Sequence, residues 1–302
     1  MATAPVGRVL TAMVTPFDQT GRVDLDQAKR LAEALIDSGS DGLVVTGTTG
    51  ESPTLSDDEK LSMYEAVVSA VGTKVSVIAG TTTYNTAESI HLSREAEKLG
   101  VDGFLLTVPY YNKPPQEGLY RHFSAIADSV SKPCILYNVP SRTVLNMSSE
   151  TTLRLSHVSN IIGVKEASAD FPQIGRIIEG AGPDFLVWSG NDSDTLPILK
   201  LGGYGIVSVV AHIVGRQVRE MVDAYIGGEV DQAESLHERL LPLVDMLFIE
   251  SNPIPVKHML SRVGFDVGDP RLPLVEPRQQ SIESIDAELA KHEIDIRVPA
   301  RV

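Results

Sequence analysis

Eight short apolar runs recur along the chain, each followed by a longer stretch of helical period. They are VLTAMV (9–14), LVVT (43–46), VSVIA (75–79), GFLLTV (103–108), CILYNV (134–139), IIGVK (161–165), FLVWS (185–189) and IVSVV (206–210). Successive starts lie 34 residues apart at first and 21 at last, room for one strand and one crossover helix. The runs do not alternate between apolar and polar residues, which predicts parallel strands buried on both faces. Ser56 with Glu59 makes a capping box, Asn85 with Glu88 resembles one, and Gly39, Gly72 and Gly100 fall where helices would end. Eight such units predict an α/β fold, a (β/α)8 TIM barrel, ahead of an eight-stranded open sheet. Beyond the eighth unit QAESLHERLLPLVDMLF, PVKHMLSRVGF and a polar stretch around 278–292 read as helices. The expected organisation is a barrel over 1–227 and a C-terminal helical region over 228–302 packed on it.

Charge and composition narrow the partners. The 302 residues carry 26 Lys and Arg against 40 Asp and Glu, a net charge of −14 with no basic run, so no nucleic-acid partner is expected. A small anionic substrate would need a local positive site that overrides this field. No stretch approaches the ~20 apolar residues of a membrane span. The start, MATAPVGRVL, has no basic-then-apolar leader, so a signal peptide is not expected. Cys134 is the only cysteine and sits in apolar PCILY, where it reads as core filler. A chain without an intrachain disulfide suits the cytoplasm. The histidines at 91, 122, 157, 212, 237, 258 and 292 show none of the close pairing of a zinc site. No metal is expected, and lysine chemistry is preferred to zinc-assisted chemistry.

In such a barrel the C-terminal strand ends and the loops after them build the active site. Lys165 closes the sixth run. Apolar surroundings would lower its pKa from the usual ~10.4 and yield an amine able to attack a carbonyl; the other reading is a lysine that snorkels to water. TGTTGES (46–52) follows the second run, either as a close-approach loop for a carboxylate or as an ordinary tight turn. It lacks the GK[ST] ending of a nucleotide loop. LYNVPSRT (136–143) offers Tyr137 at the barrel mouth and Arg142 as a bidentate carboxylate clamp, against a satisfied tyrosine and a solvated arginine. VPYYNKPPQEG (108–118) adds Tyr110 and Tyr111, one of which would serve the site and the other an interface.

Together GTTGES, TVPYYNKPPQEGL, LYNVPSRT, GVKEAS and NPIPVKHML resemble the dihydrodipicolinate synthase / N-acetylneuraminate lyase family, in order and spacing from about residue 8 to residue 275. The resemblance implies a (β/α)8 barrel with a C-terminal helical region. It also implies a Schiff base with pyruvate-type substrates, no cofactor and a homotetramer built from tight dimers. It assigns Lys165 as the Schiff-base lysine, Tyr137 as proton donor and acceptor, and Thr48 and Tyr111 as relay members, Tyr111 reaching across a dimer interface. Thr49 would bind the pyruvate carboxylate, backbone at Val207 would contact pyruvate, and Gly190 would line the same pocket. Arg142 would receive the carboxylate of L-aspartate 4-semialdehyde, the second substrate of the branch that leads to diaminopimelate and lysine. The alternative within the family is an aldolase acting on N-acetylneuraminate or a 2-keto-3-deoxy sugar acid. Asn191 stands where many relatives carry aspartate, with a small expected effect.

At the inter-subunit lysine site of some family members Ser52, Glu88 and Tyr110 match, whereas Tyr84, Asp57 and Lys60 depart from the lysine-sensitive pattern. Lys60 would repel the ammonium of lysine. Initial rates are therefore expected to be insensitive to sub-millimolar lysine, and inhibition in that range would overturn the expectation.

Overall fold

The structure, a computed structural model, describes residues 6–298. Eight parallel strands close on one another in chain order: β1 (Val9–Ala12), β2 (Gly42–Val45), β3 (Ser76–Gly80), β4 (Gly103–Thr107), β5 (Cys134–Asn138), β6 (Ile161–Glu166), β7 (Leu186–Ser189) and β8 (Gly205–Ser208). Each coincides with one of the apolar runs to within two residues. β8 stops at Ser208 because the Asp192 carboxylate captures the N–H groups of Val209 and Val210 at 3.0 and 3.2 Å and the Ser208 hydroxyl at 2.5 Å. The chain then turns into the helix Ala211–Gly227.

The absence of alternation has a direct cause. Leu10, Val44, Ile78, Ile135 and Trp188 pack together inside the barrel, while their neighbours Val9, Leu43, Val77, Leu136 and Val187 belong to the layer between strands and helices. Both faces are therefore dry. Trp188 is fully buried and its indole N–H donates to the Gly7 carbonyl at 3.0 Å.

Pairing of β5 with β6 is irregular at one point. Cys134 pairs with Ile161, but Ile135 pairs with Gly163, so Ile162 is an extra residue in the ladder. The shift sets Tyr137 beside Lys165 and Asn138 beside Glu166. Gly163 has to be glycine, since a Cβ there would lie 2.1 Å from the Leu186 carbonyl oxygen and 2.7 Å from the Trp188 ring.

The helix ends follow the sequence with two differences. Ser56 and Glu59 bond reciprocally, at 3.2 and 2.9 Å. Asn85 caps Ala87 through its Oδ1, but its amide then pairs with the Glu88 side chain rather than completing a backbone box. Gly39 and Gly100 take left-handed φ of +107° and +85°. Gly72 is right-handed at −60°, and a Cβ there would lie 2.7 Å from the Val68 carbonyl oxygen.

After β8 the described residues hold helices at Ala211–Gly227, Val230–Leu247, Ile254–Arg262 and Gln279–Leu289. One buried ion pair fastens the third of these to the loop after β2. Lys257 Nζ lies 2.7 Å from Glu51 Oε1, with side chains only 2% and 0% exposed. Glu51 Oε2 also accepts the Arg271 N–H at 2.8 Å, and Lys257 sits over the Phe17 ring. Removing one partner of such a pair strands a charge in a dry site. Lys257→Met is expected to lower unfolding free energy by about 3–5 kcal/mol in guanidinium titrations. Adding Glu51→Gln should recover most of that loss.

Candidate active site

Residues from five strand ends and from the C-terminal region meet around a cavity of about 340 Å³ at the C-terminal mouth of the barrel. Lys165, one residue short of the end of β6, is 5% exposed and stands opposite Tyr137 of β5, its Nζ 4.1 Å from the centroid of the phenol ring. Burial is the main influence on it. With the Arg142 charge adding to the effect and Asp192 opposing it, the Lys165 pKa falls from 10.5 to about 7. The snorkelling alternative is thereby set aside: the amine stays in the barrel, and about half of it is neutral near pH 7. Burial likewise pushes the Tyr137 phenol up to about 12, so it stays protonated near neutral pH.

The loop after β2 brings Thr48 and Thr49 to the same cavity. It is bracketed by Thr46 and Glu51, both non-glycine residues with left-handed φ, +51° and +57°. Such conformations persist only where surroundings impose them. Thr46 is held through its hydroxyl by Tyr64 at 2.6 Å, and Glu51 by the ion pair with Lys257. This is more than an ordinary turn. Arg142 lies in the one-turn helix Pro140–Thr143 at the cavity mouth, its Nη2 donating to the Asn252 carbonyl at 3.1 Å. Gly190 lines the same wall; a Cβ there would be 2.7 Å from that of Ala167. Asn191 also faces the cavity, its amide tied to Asp194 at 2.8 Å.

Six of the eight residues singled out in the sequence therefore converge: Lys165, Tyr137, Thr48, Thr49, Arg142 and Gly190. Two do not line this cavity. Val207 is the third residue of the four in β8, and its side chain packs inside the barrel. Tyr111 is 88% exposed and takes a left-handed φ of +71°. Tyr110 instead lines a neighbouring cavity of about 250 Å³ with Thr48 and Arg142, and meets Tyr84 edge to face at 5.3 Å. Lys60 is mostly buried and lies 3.2 Å from Asp57, which offsets part of its charge. Cys134 is wholly buried, and its thiol is pushed up to about 12, as core filler should be.

Several cavity residues carried no sequence assignment. Phe248, Glu250, Ser251 and Asn252 come from the C-terminal region, where NPIPVKHML was the only available signal. Asp192 and Glu166 flank the lysine from behind the strands. Glu166 takes the Asn138 amide at 3.1 Å and the Ser168 N–H at 2.9 Å, holding the ends of β5 and β6 together.

An amine of lowered pKa in a dry barrel mouth, with a phenol beside it and hydroxyl and guanidinium groups around it, is an arrangement able to attack a carbonyl. The chain belongs to the dihydrodipicolinate synthetase family, whose model matches residues 5–292. It is 57% identical over 283 residues to 4-hydroxy-tetrahydrodipicolinate synthase of Moorella thermoacetica, covering 94% of this chain and 97% of the relative. The enzyme of that name from Dehalococcoides mccartyi is 53% identical over 293 residues, covering 97% and 99%. Among solved structures, a dihydrodipicolinate synthase of Bacillus anthracis superposes with a TM-score of 0.94 at 44% identity, covering 96% of this chain and all of that one.

The depressed lysine pKa has a measurable sign. Below about 7 the amine is protonated and inert; above it the amine is free. The rate constant for trapping Lys165 with a carbonyl reagent should rise through pH 7 and level off by about pH 8. A rise continuing to pH 10 would show an ordinary lysine.

Proposed function

We propose that this chain condenses pyruvate with L-aspartate 4-semialdehyde through a Schiff base on Lys165, the reaction named for its relatives, in lysine and diaminopimelate biosynthesis. The observation that carries this reading is Lys165 itself, buried at a strand end beside Tyr137 and within one cavity of Thr48, Thr49 and Arg142. The neutral amine attacks the keto carbon, water leaves, and a protonated imine remains. That imine is an electron sink, so a methyl proton is lost and an enamine forms. The enamine carbon attacks the aldehyde. The substrate amine then adds to the imine carbon, closing the ring and releasing the lysine.

Each proton movement needs a group near the imine, and Tyr137 relayed by Thr48 and Tyr111 fills that role. Thr49 holds the pyruvate carboxylate, backbone at Val207 and the Gly190 wall contact the bound keto acid, and Arg142 receives the carboxylate of the second substrate. No metal, nucleotide or prosthetic group enters these steps. The exposure of Tyr111 supports a tight dimer in which that ring completes the neighbour's relay, and two such dimers form the proposed homotetramer. The proposed location is the cytoplasm; no helix among the described residues is long and apolar enough to cross a membrane.

Two measurements test the reading. Borohydride added with pyruvate should attach a stable mass to Lys165, and the absence of an adduct would end the Schiff-base mechanism. Steady-state kcat/KM should favour L-aspartate 4-semialdehyde over N-acetylneuraminate and 2-keto-3-deoxy sugar acids by at least about a hundred-fold, since Arg142 offers a clamp that polyhydroxyl tails do not use. A preference for the sugar acids would replace the substrate but keep the lysine.

A further inference from the structure

Asn252 comes from outside the barrel, from the turn that precedes the helix Ile254–Arg262, yet it lines the Lys165 cavity and is only 5% exposed. Its Nδ2 donates to Thr49 Oγ1 at 2.9 Å, and its backbone carbonyl accepts from Arg142 Nη2 at 3.1 Å. Its Oδ1 is buried with no hydrogen-bond partner among the described residues. A purely structural asparagine would not keep half of its amide unused in a dry site.

The polarity of the contact with Thr49 is the informative part. A hydroxyl carries one hydrogen and two acceptor positions. Because Thr49 accepts from Asn252, its own hydrogen remains free to be given elsewhere, and the cavity is where it is needed. Five residues further on, Lys257 holds Glu51, so the same short segment fixes the backbone of the loop that carries Thr49.

We propose that Asn252 is a positioning residue for the keto-acid site: it turns the Thr49 hydroxyl so that its hydrogen meets the substrate carboxylate. This rests on the reading of the cavity as a pyruvate site. The C-terminal region thereby takes part in substrate capture, through one amide, without touching the reacting carbon.

The test uses the full-length enzyme. Asn252→Ala and the near-isosteric Asn252→Asp should each raise KM for pyruvate roughly ten-fold or more while kcat falls by less than about two-fold, a ten-fold change corresponding to about 1.4 kcal/mol. The pyruvate concentration for half-maximal borohydride labelling of Lys165 should shift by the same factor. In a Thr49→Val background, which has no hydroxyl to orient, Asn252→Ala should add nothing further, whereas in Thr49→Ser it should act as in the parent. A full additional loss in the Thr49→Val background, or an unchanged KM in both Asn252 variants, overturns the proposal. No labelling of Lys165 in the unsubstituted chain at any pyruvate concentration overturns the proposed function and this inference together.

Discussion

Exclusion of water from the Lys165 ammonium is the constraint on which the rest of this structure turns. Moving the lysine pKa from 10.5 to about 7 corresponds to roughly 5 kcal/mol against the charged form. No single neighbour provides that. It comes from two closed apolar layers, one inside the barrel and one outside, which leave an amine at the mouth with little water to hydrate it. Asp192 pulls the other way and Arg142 adds to the push, so the final value is a balance between desolvation and two charges of opposite sign. The barrel is thus part of the reagent as well as a frame for it.

The polar groups around the lysine are arranged so that they do not spoil that dryness. Asp192 spends its carboxylate on two backbone N–H groups and the Ser208 hydroxyl, and Glu166 on Asn138 and Ser168. Both carboxylates lie behind the strands. Burial raises the pKa of each, and hydrogen bonds work against that rise. They act as ties between strand ends, while the mouth is lined by hydroxyls, a phenol and a guanidinium together with the Glu250 carboxylate. The hydroxyl, phenol and guanidinium donors there suit a doubly carboxylated reaction in a protein whose overall charge is strongly negative.

Much of this was legible in the sequence, for a physical reason. Parallel strands buried on both faces leave an uninterrupted apolar trace, and the barrel rule converts the residue after each trace into a candidate. Lys165, Tyr137 and Arg142 stand out in that way, whereas the role expected of Thr48 comes from the family resemblance. Asn252 and Lys257 do not stand out, because helices that follow a barrel carry no rule saying which of their residues return to its mouth. The exposure of Tyr111 and the inward packing of Val207 leave no mark in composition. The Asp192 tie that ends β8 early is equally silent, since VSVV reads as strand to its last residue.

The irregular pairing of β6 has a consequence for how this chain can change over generations. Had pairing continued regularly from Ile161, Val164 would stand beside Tyr137, and Lys165 would share the outward-facing row of Asn138. The surplus residue at Ile162 and the bare backbone at Gly163 absorb that mismatch. Descendants can exchange the letters of this strand within limits of size, but gaining or losing one residue between Gly163 and Lys165 would rotate the amine out of the barrel. Drift here is confined to spelling; the count is closed.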